Sequence, residues 1–75
     1  MKKYKHIYFT KSTQIQAEKP IYECRNNKSK EIIAVIYWYP QWKQFVFGFY
    51  EDAVFSQSCL LDIVDFIKDV SNEKT

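Results

Sequence analysis

Seventy-five residues carrying a formal net charge of +2, with one Gly, two Pro and two Cys, leave room for one domain that buries only about 60–65% of its unfolded surface. An aromatic content of 19% and the scarcity of Gly and Pro exclude a low-complexity or disordered chain. Two cysteines are too few for a disulfide scaffold, and no stretch approaches the ~20 apolar residues of a membrane-spanning helix.

Met1-Lys2-Lys3 is basic, but Tyr4-Lys5-His6 interrupts the place where a signal peptide needs a continuous apolar run. The expectation is a cytoplasmic protein whose Cys24 and Cys59 are reduced and buried. Residues 4–10 are rich in Tyr, Ile and Phe and predict a first strand. Residues 11–19 are polar and predict a loop. Pro20, whose missing N–H is tolerated at a strand's start, leads into a second strand over 21–26. Asn26-Asn27-Lys28-Ser29 is turn chemistry, because Asn tolerates positive φ and its side chain can close an Asx-turn. Residues 31–39, dense in Ile, Val, Trp and Tyr, form the clearest strand. Pro40-Gln41 predicts a tight turn, and 42–50 the returning strand.

From Ser56 the period changes. Leu60, Ile63, Val64, Ile67 and Val70 recur at helical spacing, with Asp62, Asp65 and Asp69 opposite, which predicts a helix over about 57–71. Ser56 or Ser58 serves as N-cap, Phe55 staples the start against Leu60, and the polar tail 71–75 is expected to fray. The fold class is therefore α+β: an antiparallel sheet of three to four strands packed against one C-terminal helix, in the order β-β-β-β-α.

A two-residue turn would place Tyr39 opposite Trp42, Tyr37 opposite Gln44, Val35 opposite Val46 and Ile33 opposite Gly48. Ile32, Ala34, Ile36, Trp38, Phe45, Phe47 and Phe49 then gather on the face assigned to the helix. The other face still carries Ile33, Val35, Tyr37, Tyr39, Trp42, Val46 and Tyr50, with Tyr4, His6 and Tyr8 as candidates to join it. A solvated sheet face normally alternates with charged and hydroxyl residues. One helix shields one side only, so the second side is either covered by residues 1–19 or bound by something else.

Three functional readings compete. The first is a protein-interaction face of Tyr37, Tyr39, Trp42, Gln44, Val46 and Tyr50, engaging a protein partner or a second copy as a homodimer, since Tyr and Trp dominate interface energetics. The second is a nucleic-acid surface using Arg25, Lys28, Lys30 and Lys43 beside the open sheet. Residues 1–56 hold nine Lys/Arg against five acids, a local +4, but a single Arg is sparse for phosphate or base recognition. The third is an enzyme, which finds no support: His6 has no nucleophile or Gly-rich turn at a suggestive spacing. No catalytic group, metal ligand set or cofactor is predicted. Cys59, at the helix start, would need a basic neighbour to become reactive.

Three stretches carry a resemblance: Ile21-Tyr22-Glu23-Cys24-Arg25-Asn26, then Trp38-Tyr39-Pro40-Gln41-Trp42-Lys43-Gln44-Phe45, then Phe55-Ser56-Gln57-Ser58-Cys59-Leu60-Leu61-Asp62-Ile63. Over residues 20–70 the chain resembles small uncharacterised proteins encoded by bacteriophages and prophages, with an aromatic W-Y-x-x-W-[KR]-Q hairpin followed by a V-F-x-x-x-C-L-x-D-I helix. The resemblance implies a phage accessory product that binds and inhibits or redirects a host protein. It brings no site residues, and residues 1–19 fall outside it.

Overall fold

The computed structural model describes residues 3–16 and 18–72, without the side chain of Gln16. The expected fraying of the tail falls partly on residues 73–75, outside the described residues; Ser71 and Asn72 are helical. Four antiparallel strands, β1 (Ile7–Gln16), β2 (Lys19–Asn26), β3 (Ile32–Tyr39) and β4 (Gln44–Phe49), lie in the sheet order β1-β2-β3-β4, and one helix, α1 (Gln57–Asn72), crosses one face. This is the α+β arrangement the sequence predicts.

The first strand differs. It starts at Ile7 and runs through residues 11–16, which the polar composition assigned to a loop. Lys11 pairs with Tyr22, Ile15 with Pro20 and Gln16 with Lys19, and β1 takes four steps against two on β2 between the first two of these pairs. The bulge lets a polar stretch stay in the ladder, because backbone hydrogen bonding to β2 does not depend on side-chain polarity. β2 accordingly begins at Lys19. A smaller bulge in β3 sets Arg25 opposite Ile32 while Cys24 faces Ala34.

The β2–β3 turn follows the Asx chemistry of Asn26, whose Oδ1 accepts the N–H groups of Lys28 (2.8 Å) and Ser29 (3.0 Å). The β3–β4 turn is longer than predicted. Tyr39 pairs with Gln44, Tyr37 with Val46 and Val35 with Gly48, so residues 40–43 form a four-residue connection and β4 starts at Gln44, not at residue 42. Trp42 N–H donates to Tyr39 O (3.1 Å) and Lys43 N–H to Pro40 O (3.2 Å), which closes this wider loop. A shift of two residues preserves the side-chain faces along this hairpin; the exception is Ile33, predicted on the side away from the helix, which packs against the core where the β3 bulge interrupts the alternation. The helix side consequently still holds Ala34, Ile36 and Phe45, all buried, and Trp38 and Phe47, partly so; Phe49 stays 63% exposed at the strand's end.

Ser56 caps α1: its Oγ accepts the Cys59 N–H at 3.2 Å. The helix is rotated from the predicted stripe. Cys59, Ile63, Phe66 and Val70 are buried, whereas Leu60 and Val64 are exposed. The core explains the rotation. Phe66 stacks on Phe9 with ring centroids 3.8 Å apart and meets Tyr22 edge-on at 5.2 Å; turning Leu60 and Val64 inward would forfeit both contacts. Asp62 and Asp69 are consequently half-buried rather than opposite the core, and Asp65 takes a hydrogen bond from the Tyr4 hydroxyl at 2.8 Å. Phe55 sits edge-on to Phe47 (6.0 Å) and Phe49 (6.2 Å), fixing the chain's approach to the helix. Cys24 and Ala34, cross-strand neighbours with no exposure, are small enough to keep the centre of the layer thin. Burial, and secondarily Cys59, push the Cys24 thiol up to about 12.

Candidate protein-interaction face

The side of the sheet away from α1 is assembled by strand alternation. With Tyr22, Cys24, Ala34, Ile36 and Phe45 turned to the core, the opposite side receives Tyr8, Thr10, Glu23, Arg25, Val35, Tyr37, Tyr39, Gln44 and Val46. None of the described residues crosses it. The N-terminal residues are fastened to the other side. Asn27 Nδ2 donates to Tyr4 O (3.0 Å) and Lys5 O (2.8 Å), and the Asn27 N–H to His6 O (3.0 Å). Tyr4 then packs edge-on against Phe9 at 5.8 Å and bonds to the helix through Asp65. Tyr4 therefore does not join the open face, and His6 is exposed ahead of β1; of the three candidates only Tyr8 does.

The open face has two halves. On β1 and β2 it is polar: Arg25 Nε donates to Thr10 Oγ1 (3.3 Å), Nη1 to Lys30 O (2.8 Å) and Nη2 to Glu23 Oε1 (3.2 Å), while Thr10 Oγ1 donates to Glu23 Oε1 (3.2 Å). This ring was not visible as alternation in the sequence, because its members lie on two strands. On β3 and β4 the face is apolar. Tyr37 and Val46, then Tyr39 and Gln44, are cross-strand pairs, and Trp42 meets Tyr39 edge-on at 4.8 Å while remaining 65% exposed. Tyr37, Tyr39, Trp42, Val46 and Phe47 line a shallow recess of about 280 Å³. The Tyr37 ring leans over Gly48, the one glycine of the chain, where a β-carbon would lie at an ordinary contact distance of 3.5 Å from Tyr37 Cε1.

Five of the six predicted interaction residues thus come together: Tyr37, Tyr39, Trp42, Gln44 and Val46. Tyr50 does not. It stands about 13 Å along the strand direction from Val46, beside a separate recess lined by Glu31, Ile33, Glu51 and Asp52. The four basic residues separate more widely. Lys28 and Lys30 belong to the β2–β3 turn and Lys43 to the turn at the opposite end of β3, and the Arg25 guanidinium is occupied as above. Lys30 Nζ lies 5.4 Å over the Tyr8 ring.

A second apolar surface escaped sequence reasoning. Phe49, Leu60, Leu61 and Val64 are exposed by 63%, 41%, 61% and 53%. The signal was present, since α1 has more apolar positions than one stripe can bury. Assigning Leu60 and Val64 to the core hid it.

Among the described residues, no group of three His, Cys, Asp or Glu side chains could hold a metal ion, and no helix is long and apolar enough to cross a membrane. Comparison of the chain with protein-family models, with curated proteins and with solved structures gives no match. The reading of function therefore rests on this chain's own geometry.

Proposed function

We propose that the protein is a non-enzymatic interaction module that binds a protein partner through the open sheet face of Tyr37, Tyr39, Trp42, Gln44 and Val46. The observation that carries this reading is an uncovered aromatic recess on the sheet face opposite a complete core, with the N-terminal residues pinned to the other side by Asn27 and Asp65. Tyr and Trp here combine broad contact area with polar tips, the chemistry of interface anchors. In the phage setting the resemblance implies, the partner is a cytoplasmic host protein that the module inhibits or redirects. Duplex binding is the weaker alternative, because its basic residues sit at both ends of the sheet and Arg25 is spent internally.

The test is the double substitution Trp42→Ala with Tyr37→Ala, checked for an unchanged circular dichroism spectrum. Binding to a partner captured by the wild-type protein should weaken by at least 2 kcal/mol, roughly 30-fold. Unchanged affinity in a folded double variant defeats the proposal, and retarded duplex DNA at low salt that depends on Lys43 and Lys28 would replace it.

A further inference from the structure

We infer that the outer edge of β4 and the adjoining flank of α1 form an interface for a second copy of this chain, paired antiparallel about Phe47. No described strand lies beyond β4. The Tyr50 N–H donates to Ile33 O at 3.2 Å, which sets the phase of the β3–β4 ladder: Gln44, Val46 and Gly48 turn their backbone groups to β3, and Phe45, Phe47 and Phe49 turn theirs outward. A two-fold axis at Phe47 sets Phe47 against its own copy and Phe45 against Phe49 of the other chain, so every outward N–H and C=O of the three phenylalanines finds a partner.

Three observations select a second copy as occupant. The first is charge. Lys43 lies in the turn before β4 and Glu51 in the turn after it, both exposed, so antiparallel pairing brings the Lys43 turn of each copy to the strand end where the other carries Glu51, and β4 itself carries no charge. The second is the helix. At 100° per residue the flank of α1 bearing Leu60 and Val64 is opposite the flank whose Asp65 meets Tyr4 beside β1, so these exposed residues face the β4 side. Together with Phe49 they present on the order of 300–400 Å² of apolar surface per copy, and with the strand edge a two-fold pairing reaches roughly 1,000 Å², the lower bound for a specific interface. The third is contrast. The other edge is protected by the β1 bulge and by Lys11, the usual devices against edge pairing, whereas β4 has none. The aromatic recess opens on the other sheet face and shares with this edge only its β4 members, Val46 and Phe47.

Sedimentation equilibrium on the full chain tests this. The expected mass is twice 9.1 kDa. Leu60→Glu with Val64→Glu should give a folded monomer. Lys43→Glu and Glu51→Lys should each raise the dimer dissociation constant roughly 3- to 10-fold, and their combination should restore it, since the pair is merely inverted. Amides of Phe45, Phe47 and Phe49 should be protected from hydrogen exchange and lose protection on dilution. A wild-type monomer at the highest soluble concentration overturns the inference. So does an open-ended series of larger species, a dimer insensitive to all these changes, or one lost only with Trp42→Ala and Tyr37→Ala, which would move self-association to the recess.

Discussion

Glu18, Lys30 and Lys43 hold positive φ values of 61°, 65° and 52°, one in each of the three hairpin connections. The left-handed region costs a residue with a β-carbon about 1 kcal/mol or more relative to glycine. The chain spends its one glycine under Tyr37 instead, and accepts this strain at the turns. Lys43→Gly should therefore raise the melting temperature by roughly 4–8 °C if about 1 kcal/mol is relieved, read by thermal denaturation. Cys24 makes a second prediction at this scale. Its folded thiol titrates near 12 against an ordinary 9.0; the unfolded chain therefore releases that proton first as pH rises. Stability from this group is complete below pH 9 and is lost between pH 9 and 12. Urea midpoints across that window should fall more steeply for the wild type than for Cys24→Ala. The same shift makes Cys24 resistant to iodoacetamide in the folded state.

At the scale of elements, the rotation of α1 separates two outcomes. Ile63→Glu buries an unpaired carboxylate and should abolish folding, while Val64→Glu, one position along, should change stability by no more than about 0.5 kcal/mol in the monomer. Phe66→Ala should cost about 3–5 kcal/mol, because it removes the stack on Phe9 and the edge contact with Tyr22 and leaves a cavity; chemical denaturation measures both. These substitutions also mark how far the helix was legible. Its existence, length and Ser56 cap follow from periodicity and local hydrogen bonding. Its rotation does not, since Leu60, Ile63, Val64, Ile67 and Val70 make as good a stripe as Cys59, Ile63, Phe66 and Val70. What chose between them is the aromatic pocket between Phe9 and Tyr22, brought from strands 40 or more residues earlier in the chain. Likewise the parity of β3 and β4 was readable and their register was not, because two- and four-residue turns give the same faces.

For the whole molecule, the decisive placement is that of the N-terminal residues. Residues 1–19 could have crossed the open face, making a two-sided core and removing the interaction surface. Asn27, Tyr4 and Asp65 instead hold residues 4–6 on the helix side, and β1 joins the sheet in plane. Asn27→Ala should cost about 1–3 kcal/mol by leaving the Tyr4 and Lys5 carbonyls without their side-chain donor. Trp42 should remain freely quenched by acrylamide in the wild type, with Trp42→Phe removing that exposed component of the fluorescence. A Trp42 emission shielded from acrylamide in the isolated chain would show the recess already covered.

The chain's own letters determined the local features: strand and helix order, the Asx-turn at Asn26, the Ser56 cap, and the alternation that sends Ala34, Ile36 and Phe45 to one side and Tyr37, Tyr39 and Val46 to the other. Each depends on interactions spanning a few residues, where periodicity and side-chain chemistry suffice. Only the tertiary structure decided the rotation of α1, the extension of β1 through a polar stretch, the Thr10–Glu23–Arg25 ring and the fate of the N-terminal residues. The first and last hang on contacts between segments distant in sequence, and the other two on how one hairpin pairs across its bulge; in each, several local patterns are equally satisfied and the pairing or packing selects one.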